Sequence, residues 1–374
     1  YNCEVGRYEL VELPERVDAS AMPAVELIDM AEEAALAGQA QLLSKRLKEL
    51  IFDRLHKAEQ IMLLLNRRGY ATQMLCPKCG YVATCDNCST AYTYHRKAAQ
   101  LICHLCGVQL AAPDKCPQCQ SKEIRYTGVG TEKIETILHA LYPQATIARM
   151  DSDTMTTKDS YKKVLDAFRA GRIHILVGTQ MIAKGHDFHN VTLSETLSED
   201  QLLGTGEFRG IEQALALMTQ AAGRAGRGLL KGRVIIQTVQ PDHYVIRAAA
   251  QQDYESFYVE EIIFRKRMDY LPFGHIGMVE FRGFNARETE DMAMRYYRMA
   301  RALMGQNRAR FKKTELSEPA PSPISKIRNR YRFRIMARDP SAELLTRLLF
   351  HTADHMEKHQ QVSFFIDIDP WATL

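Results

Sequence analysis

Over residues 24–60 apolar side chains recur every three to four positions, as Val25, Leu27, Ile28, Met30 and Ala31 and then Leu42, Leu43, Leu47 and Leu50. That spacing predicts helix. The unbroken apolar run Ile61-Met62-Leu63-Leu64-Leu65 follows and ends at Asn66-Arg67-Arg68-Gly69-Tyr70. A short continuous run of this kind suits a strand buried on both faces. After a cysteine-rich stretch the chain alternates between strand and helix patterns. Strands are predicted at 124–126, 146–150, 173–177, 191–197 and 234–239. One helix is opened by Gly128-Val129-Gly130-Thr131-Glu132, with Thr131 as its candidate N-cap, and runs to residue 142. Others are predicted at 161–170, stopped by Gly171, and at 211–222. This alternation argues for a parallel α/β sheet with helices on both faces, whose ligands gather at the carboxyl ends of the strands. From about residue 276 the pattern changes. A strand at 277–281, a helix at 287–305, the stretch Glu318-Pro319-Ala320-Pro321-Ser322-Pro323, a strand at 331–336, a helix at 342–357 and a strand at 362–367 describe a small α+β domain.

The 374 residues are enough for two or three domains. No apolar run is long enough for a membrane span. The chain opens Tyr1-Asn2-Cys3 with no initiator Met and no signal pattern, and so reads as a start within a longer protein. Its 49 basic and 45 acidic residues leave +4, too small a bias to name a partner.

The cysteines change the picture. Eight of the nine form four CxxC pairs: Cys76/Cys79, Cys85/Cys88, Cys103/Cys106 and Cys116/Cys119. A two-residue spacer lets both sulfurs of a pair meet one tetrahedral zinc ion. Gly80 and Gly107 directly follow second cysteines, where a tight turn needs positive φ. Eight thiolates make two closed sites, and closed sites are structural because catalysis needs an open coordination position. Spacing leaves sequential and nested pairing both open. His95 and His104 lie nearby as spare candidate ligands. With eight thiolates and two zinc ions the net charge is near zero, so basic residues have to act through local clusters.

Gln220-Ala221-Ala222-Gly223-Arg224-Ala225-Gly226-Arg227-Gly228 sets two arginines three apart at a helix end, between glycines. Guanidinium groups there can hold phosphate oxygens bidentately and stabilise charge on a transferring γ-phosphate. Gly178-Thr179-Gln180 closes a strand and continues to Lys184, Gly185, His186, Asp187 and Phe188. Thr179 and Gln180 could hold nucleic-acid backbone, Lys184 adds charge, and Asp187 could accept from a ribose hydroxyl or orient an arginine. Arg67 and Arg68 are candidate phosphate contacts after a core strand. Lys326, Arg328, Arg330, Arg332 and Arg334 alternate along a predicted strand and would line one face.

Together these elements resemble the bacterial primosomal replication-restart DNA helicases, over essentially the whole chain. The resemblance rests on residues 66–70, the eight-cysteine block, 128–132, 178–188 and 220–228. Gln252-Asp253-Tyr254, Leu271-Pro272-Phe273 and Ile366-Asp367-Ile368-Asp369-Pro370 add to it. It implies an ATP-dependent superfamily 2 helicase moving 3′ to 5′, which recognises abandoned forks and reloads the replicative helicase in the bacterial cytoplasm. By this resemblance Arg224 and Arg227 are arginine fingers headed by Gln220, and Gly178, Thr179, Gln180, Lys184, Gly185 and Asp187 couple nucleotide to DNA. The zinc pairs are nested: Cys76, Cys79, Cys116 and Cys119 hold one ion, and Cys85, Cys88, Cys103 and Cys106 the other. Implied partners are forked and single-stranded DNA, single-stranded DNA-binding protein and primosome proteins. Arg67, Arg68, Lys326 and Arg328 are the candidate DNA contacts. The implied domains are a lobe-connecting segment with helices (1–60), a RecA-like second helicase lobe (61–75 and 120–270), a zinc insertion (76–119) and a C-terminal α+β domain (271–374).

The sequence departs from the family in several places. It contains no GxxxxGK[ST] loop and no DEEH-type motif, so ATP and Mg²⁺ belong to the full-length parent and this chain alone is expected not to hydrolyse ATP. Ser194-Glu195-Thr196 stands where the family has an apolar central strand, Glu199-Asp200 replaces an Ala-Asp element, and Gly204-Thr205-Gly206 replaces a Pro-containing turn. The alternative is a non-enzymatic zinc module that binds fork DNA or a protein, but such a module has no need of Arg224 and Arg227. A zinc deaminase is disfavoured by the closed four-cysteine sites and the absence of an H-x-E…C-x-x-C pattern.

Overall fold

The computed structural model describes the chain apart from residues 13–21, 66–72, 96–97, 128–129, 152–153, 156, 184–187, 198–199, 204–208, 227–229, 358 and 372–374. Its packing divides into two units, Tyr1–Ala71 with Gly128–Val259, and Thr72–Thr127 with Glu260–Leu374.

The first unit is built on a six-stranded sheet. Its order is Ala24–Asp29, Arg233–Thr238, Val191–Leu197, Gln60–Leu65, Ile175–Gly178 and Ile147–Met150, and every neighbouring pair is parallel. The central strands Gln60–Leu65 and Val191–Leu197 are buried at every residue. On one face Ile61, Leu63, Leu65, Leu193 and Ile235 pack under Leu47, Leu50 and Ile51 of helix Lys45–His56. On the other, Val234 and Ile236 meet helices Gly210–Ala222 and Tyr244–Gln251, while Met62 and Leu64 join the cluster around Phe168. Cover on both faces is why residues 61–65 read as an unbroken apolar run.

Residues 24–28, expected as the start of a helix, instead form the sheet's edge strand. Val25, Leu27 and Ile28 satisfy a helical and an extended pattern equally in so short a run, and parallel pairing with Arg233–Thr238 decides it. The 24–60 segment is thereby part of this sheet and its cover. Buried Gln237 anchors it further: its Oε1 accepts the Ser44 N–H at 2.7 Å and its Nε2 donates to Leu42 O at 3.0 Å. Thr131, expected as an N-cap, is the first helical residue of Thr131–Leu141, and Gly130 takes the cap. The Thr131 hydroxyl donates instead to buried Asp151. Ser194, Glu195 and Thr196 are fully buried in the central strand. Ser194 Oγ and Thr196 Oγ1 find no hydrogen-bond partner among the described residues.

In the second unit an antiparallel sheet runs Glu315–Leu316, Arg330–Asp339, His275–Gly283 and Val362–Ile368, with Ala320–Ile327 also paired to Arg330–Asp339. Helices Ala286–Gln306 and Ala342–Asp354 cover one face through Met292, Tyr296, Leu345 and Leu349. The Pro-rich stretch enters a strand after all. Ala320–Ile327 has one sheet neighbour, and an edge strand tolerates proline because its outward side needs no N–H. The predicted strand at 124–126 lies in Arg125–Thr127, but it pairs antiparallel with Gln73–Leu75 instead of joining the parallel sheet.

The other face of this sheet centres on buried Glu280. Arg282 Nε donates to its Oε1 at 2.7 Å, Arg332 Nε to the same oxygen at 3.0 Å, and Ser322 Oγ to Oε2 at 3.3 Å. Burial pushes the Glu280 carboxyl up, but the bonds from Arg332 and Arg282 outweigh it and hold the group below its ordinary 4.5. The stability it contributes is complete above that ordinary value and is lost as pH falls through the lower, folded value. Glu280→Gln should therefore cost roughly 2 kcal/mol at neutral pH. The deficit should shrink as pH drops below about 4.5, in thermal melts recorded across that range.

Candidate metal centre and nucleotide-coupling loops

The cysteine region has almost no regular structure. Its strands Gln73–Leu75, Thr93–His95, Gln100–Ile102, Gln109–Ala111 and Arg125–Thr127 are three residues each. Its small core joins Met74, Tyr92 and Leu101 to Cys85, Cys88 and Cys103. The CxxC turns do the folding. The Cys76 N–H donates to Tyr81 O at 2.8 Å and the Gly80 N–H returns to Cys76 O at 2.9 Å. The same two bonds recur at Cys103 with Val108 and Gly107, and at Cys116 with Ser121 and Gln120. The residue after the second cysteine is left-handed in all three: Gly80 at φ 74°, Gly107 at 80° and Gln120 at 58°.

These turns bring the thiols together in two groups. Cys76, Cys79, Cys116 and Cys119 form one, and Cys85, Cys88, Cys103 and Cys106 the other. This is the nested pairing. Sulfurs of Cys76 and Cys119, of Cys79 and Cys116, and of Cys85 and Cys106 each lie 3.6 Å apart. A tetrahedron with Zn–S of about 2.3 Å has edges of about 3.8 Å, so both groups fit zinc. Burial pushes the Cys103 thiol up to about 12, while the Val108 N–H draws Cys106 down to about 7. Four such thiols become thiolates together only around a cation. His95 and His104 join neither group; their Nε2 atoms face each other at 3.2 Å.

In the parallel-sheet unit, Gly178 ends its strand, Thr179 is buried with its N–H on Met150 O at 3.2 Å, and Gln180 opens the short helix Gln180–Ala183. Lys184, Gly185 and Asp187 lie outside the described residues, as do Arg67, Arg68, Arg227, Glu199 and Gly204-Thr205-Gly206. Helix Gly210–Ala222 carries exposed Gln220 and ends at Gly223. Half-buried Arg224 follows, its N–H on Ala221 O at 3.0 Å. The Gly226 N–H then donates to Val191 O at 2.9 Å, at the amino end of the central strand. Gly226 thus lies at the end of the sheet opposite Gly178-Thr179-Gln180. Helix Gly210–Ala222 is long enough to carry the chain back across the sheet. Two glycines permit the loop to close. A Cβ on Gly226 would lie 2.6 Å from Gly232 N, and one on Gly232 would lie 2.5 Å from Gly226 N.

The basic series does not form the open face that its alternation predicts. Arg328 and Asn329 take positive φ and form a turn, so the two-residue period breaks there. Arg332 is committed to Glu280, and Arg330 stacks over Phe284 at 5.0 Å. Lys326 Nζ donates to Asp86 O at 2.8 Å, and Arg328 Nε to Leu105 O at 2.9 Å. Both candidate DNA contacts are therefore turned onto the cysteine region's main chain.

Such a sheet, in one chain with two nested four-cysteine groups and an α+β domain, defines the second motor lobe of a helicase with a zinc-binding region. Three family models match: "Helicase conserved C-terminal domain" over residues 119–228, "PriA DNA helicase Cys-rich region (CRR) domain" over 85–109, and "Primosomal protein N C-terminal domain" over 266–371. The replication restart protein PriA of Bacillus subtilis is 38% identical over 98% of this chain and 45% of its own length. Those of Treponema pallidum and Haemophilus influenzae are 36% and 34% identical, over 98% and 99% of this chain and 54% and 49% of theirs. The chain belongs to the PriA family and matches its C-terminal portion. It spans about half the length of these curated relatives. Among solved structures, S. cerevisiae Dbp5 bound to RNA and ADP BeF3 aligns over 71% of this chain and 50% of that chain at 12% identity, with a TM-score of 0.32. That likeness is too loose to add to the family models.

Gly232→Ala should destabilise the first unit by roughly 2–3 kcal/mol in denaturant melts, because a methyl has no room against the Gly226 backbone. Gln120→Gly should do the opposite. Relieving a left-handed side-chain residue should raise stability by ~0.5–1 kcal/mol, read as a higher melting temperature of the zinc-loaded chain.

Proposed function

We propose that this chain supplies the second motor lobe, the zinc region and the C-terminal domain of an ATP-dependent 3′–5′ DNA helicase that restarts replication at stalled forks. The observation that carries the reading is a nested eight-cysteine block in the same chain as a RecA-like lobe, a combination matched by three family models along the chain. In this reading two structural zinc ions are held by the outer and inner cysteine sets. Arg224 and Arg227, with Gln220, stabilise charge on the transferring γ-phosphate. Residues 178–187 couple that event to DNA. ATP and Mg²⁺ are bound by the full-length parent. This chain alone lacks a phosphate loop in its sequence and is inactive as an ATPase.

The substrates in this reading are forked and single-stranded DNA, held through Arg67, Arg68 and further phosphate contacts. Single-stranded DNA-binding protein and primosome proteins are its protein partners, in the bacterial cytoplasm. Among the described residues no helix is long and apolar enough to cross a membrane.

The test is ATP turnover by the 374-residue chain with and without forked DNA, beside fork affinity at two salt concentrations. We expect no turnover and fork binding that weakens steeply as salt rises. DNA-stimulated turnover that disappears in Arg224→Ala would overturn the chain's dependence on a first lobe. Absence of salt-sensitive fork binding would overturn the DNA assignment.

A further inference from the structure

One CxxC turn closes differently, with the Cys88 N–H on Cys85 O at 3.2 Å. In the Cys76, Cys103 and Cys116 turns, the N–H after the second cysteine bonds back to the first cysteine's carbonyl. In the Cys85 turn that N–H belongs to Ser89, and it donates instead to Lys326 O at 2.8 Å. The companion bond from the Cys85 N–H, to Thr90 O at 2.9 Å, is kept. One bond of the turn has thus been exchanged for a bond to the C-terminal domain, within the same unit.

The surrounding contacts converge on the same place. The Asn329 N–H donates to Asn87 O at 2.9 Å, and Ser325 Oγ to Ser89 Oγ at 2.9 Å. The Arg328 N–H points at the Cys88 sulfur at 3.3 Å. Lys326 Nζ and Arg328 Nε reach Asp86 O and Leu105 O, inside the two CxxC spacers of the inner group. Ile327 packs on the cluster that contains Cys85, Cys88 and Cys103. The tip that does this is a two-residue turn between paired Ile327 and Arg330, with Arg328 at φ 50° and Asn329 at φ 62°. Positive φ at both positions is the hairpin geometry that Asn and Gly favour and Arg does not. At Arg328 that conformation aims the N–H at a ligand sulfur.

We propose that the 325–329 turn is a positioning element of the inner four-cysteine site. It completes the Cys85 turn and donates a hydrogen bond to the Cys88 sulfur. The C-terminal domain thereby sets how tightly the inner site holds its metal and leaves the outer site alone. Outer-shell donors of this kind commonly change metal affinity 10- to 100-fold. The proposal rests on the zinc reading above, and the test separates the two.

The full chain is loaded with zinc and challenged with the chromogenic chelator 4-(2-pyridylazo)resorcinol. Thiols that open are trapped with iodoacetamide and mapped by peptide mass spectrometry. Wild-type chain carrying fewer than two zinc ions would defeat the zinc reading itself. Given two ions, Ile327→Asp should release one of them about tenfold faster, with Cys85, Cys88, Cys103 and Cys106 alkylated first and the other four cysteines at the wild-type rate. Arg328→Ala, which removes only the Leu105 contact and keeps the N–H, should give a smaller acceleration at the same four cysteines even if Ile327→Asp misfolds. Wild-type release in the folded variants, or equal acceleration at both sites, would overturn the proposal.

Discussion

Four sulfur atoms within 4.8 Å of one another repel once ionised, and a cation at their centre is what lets them stay. The cysteine region depends on that constraint. Its strands are three residues long, and its core borrows the cysteines themselves. A segment this small cannot bury enough apolar surface to hold its turns, so metal cross-links stand in for a core. The left-handed residues after the second cysteines and the repeated pair of backbone bonds are the local geometry that brings each pair of thiols to one point.

The parallel-sheet unit rests on ordinary burial. Two central strands with both faces covered make a rigid platform, and the chemically loaded segments hang from its ends. Gly178-Thr179-Gln180 leaves at the carboxyl edge. The arginine loop arrives at the amino edge and is pinned there by the Gly226–Val191 bond and by two glycines in backbone contact. Burying Ser194, Glu195 and Thr196 in the middle of this platform runs against the apolar pattern of its neighbours.

In the C-terminal domain, charge is used structurally. Glu280 gathers Arg282, Arg332 and Ser322 on a sheet face, and Lys326 and Arg328 lean on the cysteine region. A basic series that would suit phosphate when read along the strand is largely spent inside its own unit. Charge counted along a sequence is not charge presented at a surface.

By itself the sequence determined whatever depends on neighbours a few residues apart. The unbroken apolar run at 61–65 announced a strand buried on both faces. The four CxxC pairs announced two closed metal sites, and Gly80 and Gly107 announced the turns behind them. The glycine after Gln220-Ala221-Ala222 announced the end of a helix. Tertiary structure alone decided what depends on partners far along the chain. Residues 24–28 became a strand because Arg233–Thr238 offered an edge to pair with. Spacing left the thiol pairing open, and folding joined Cys76 to Cys119 across 43 residues. Lys326 and Arg328 became props of a metal site because a turn some 240 residues from Cys88 docks against it. Periodicity and spacing record local geometry, whereas pairing, docking and burial of charge are set by contacts whose sequence separation leaves no local trace.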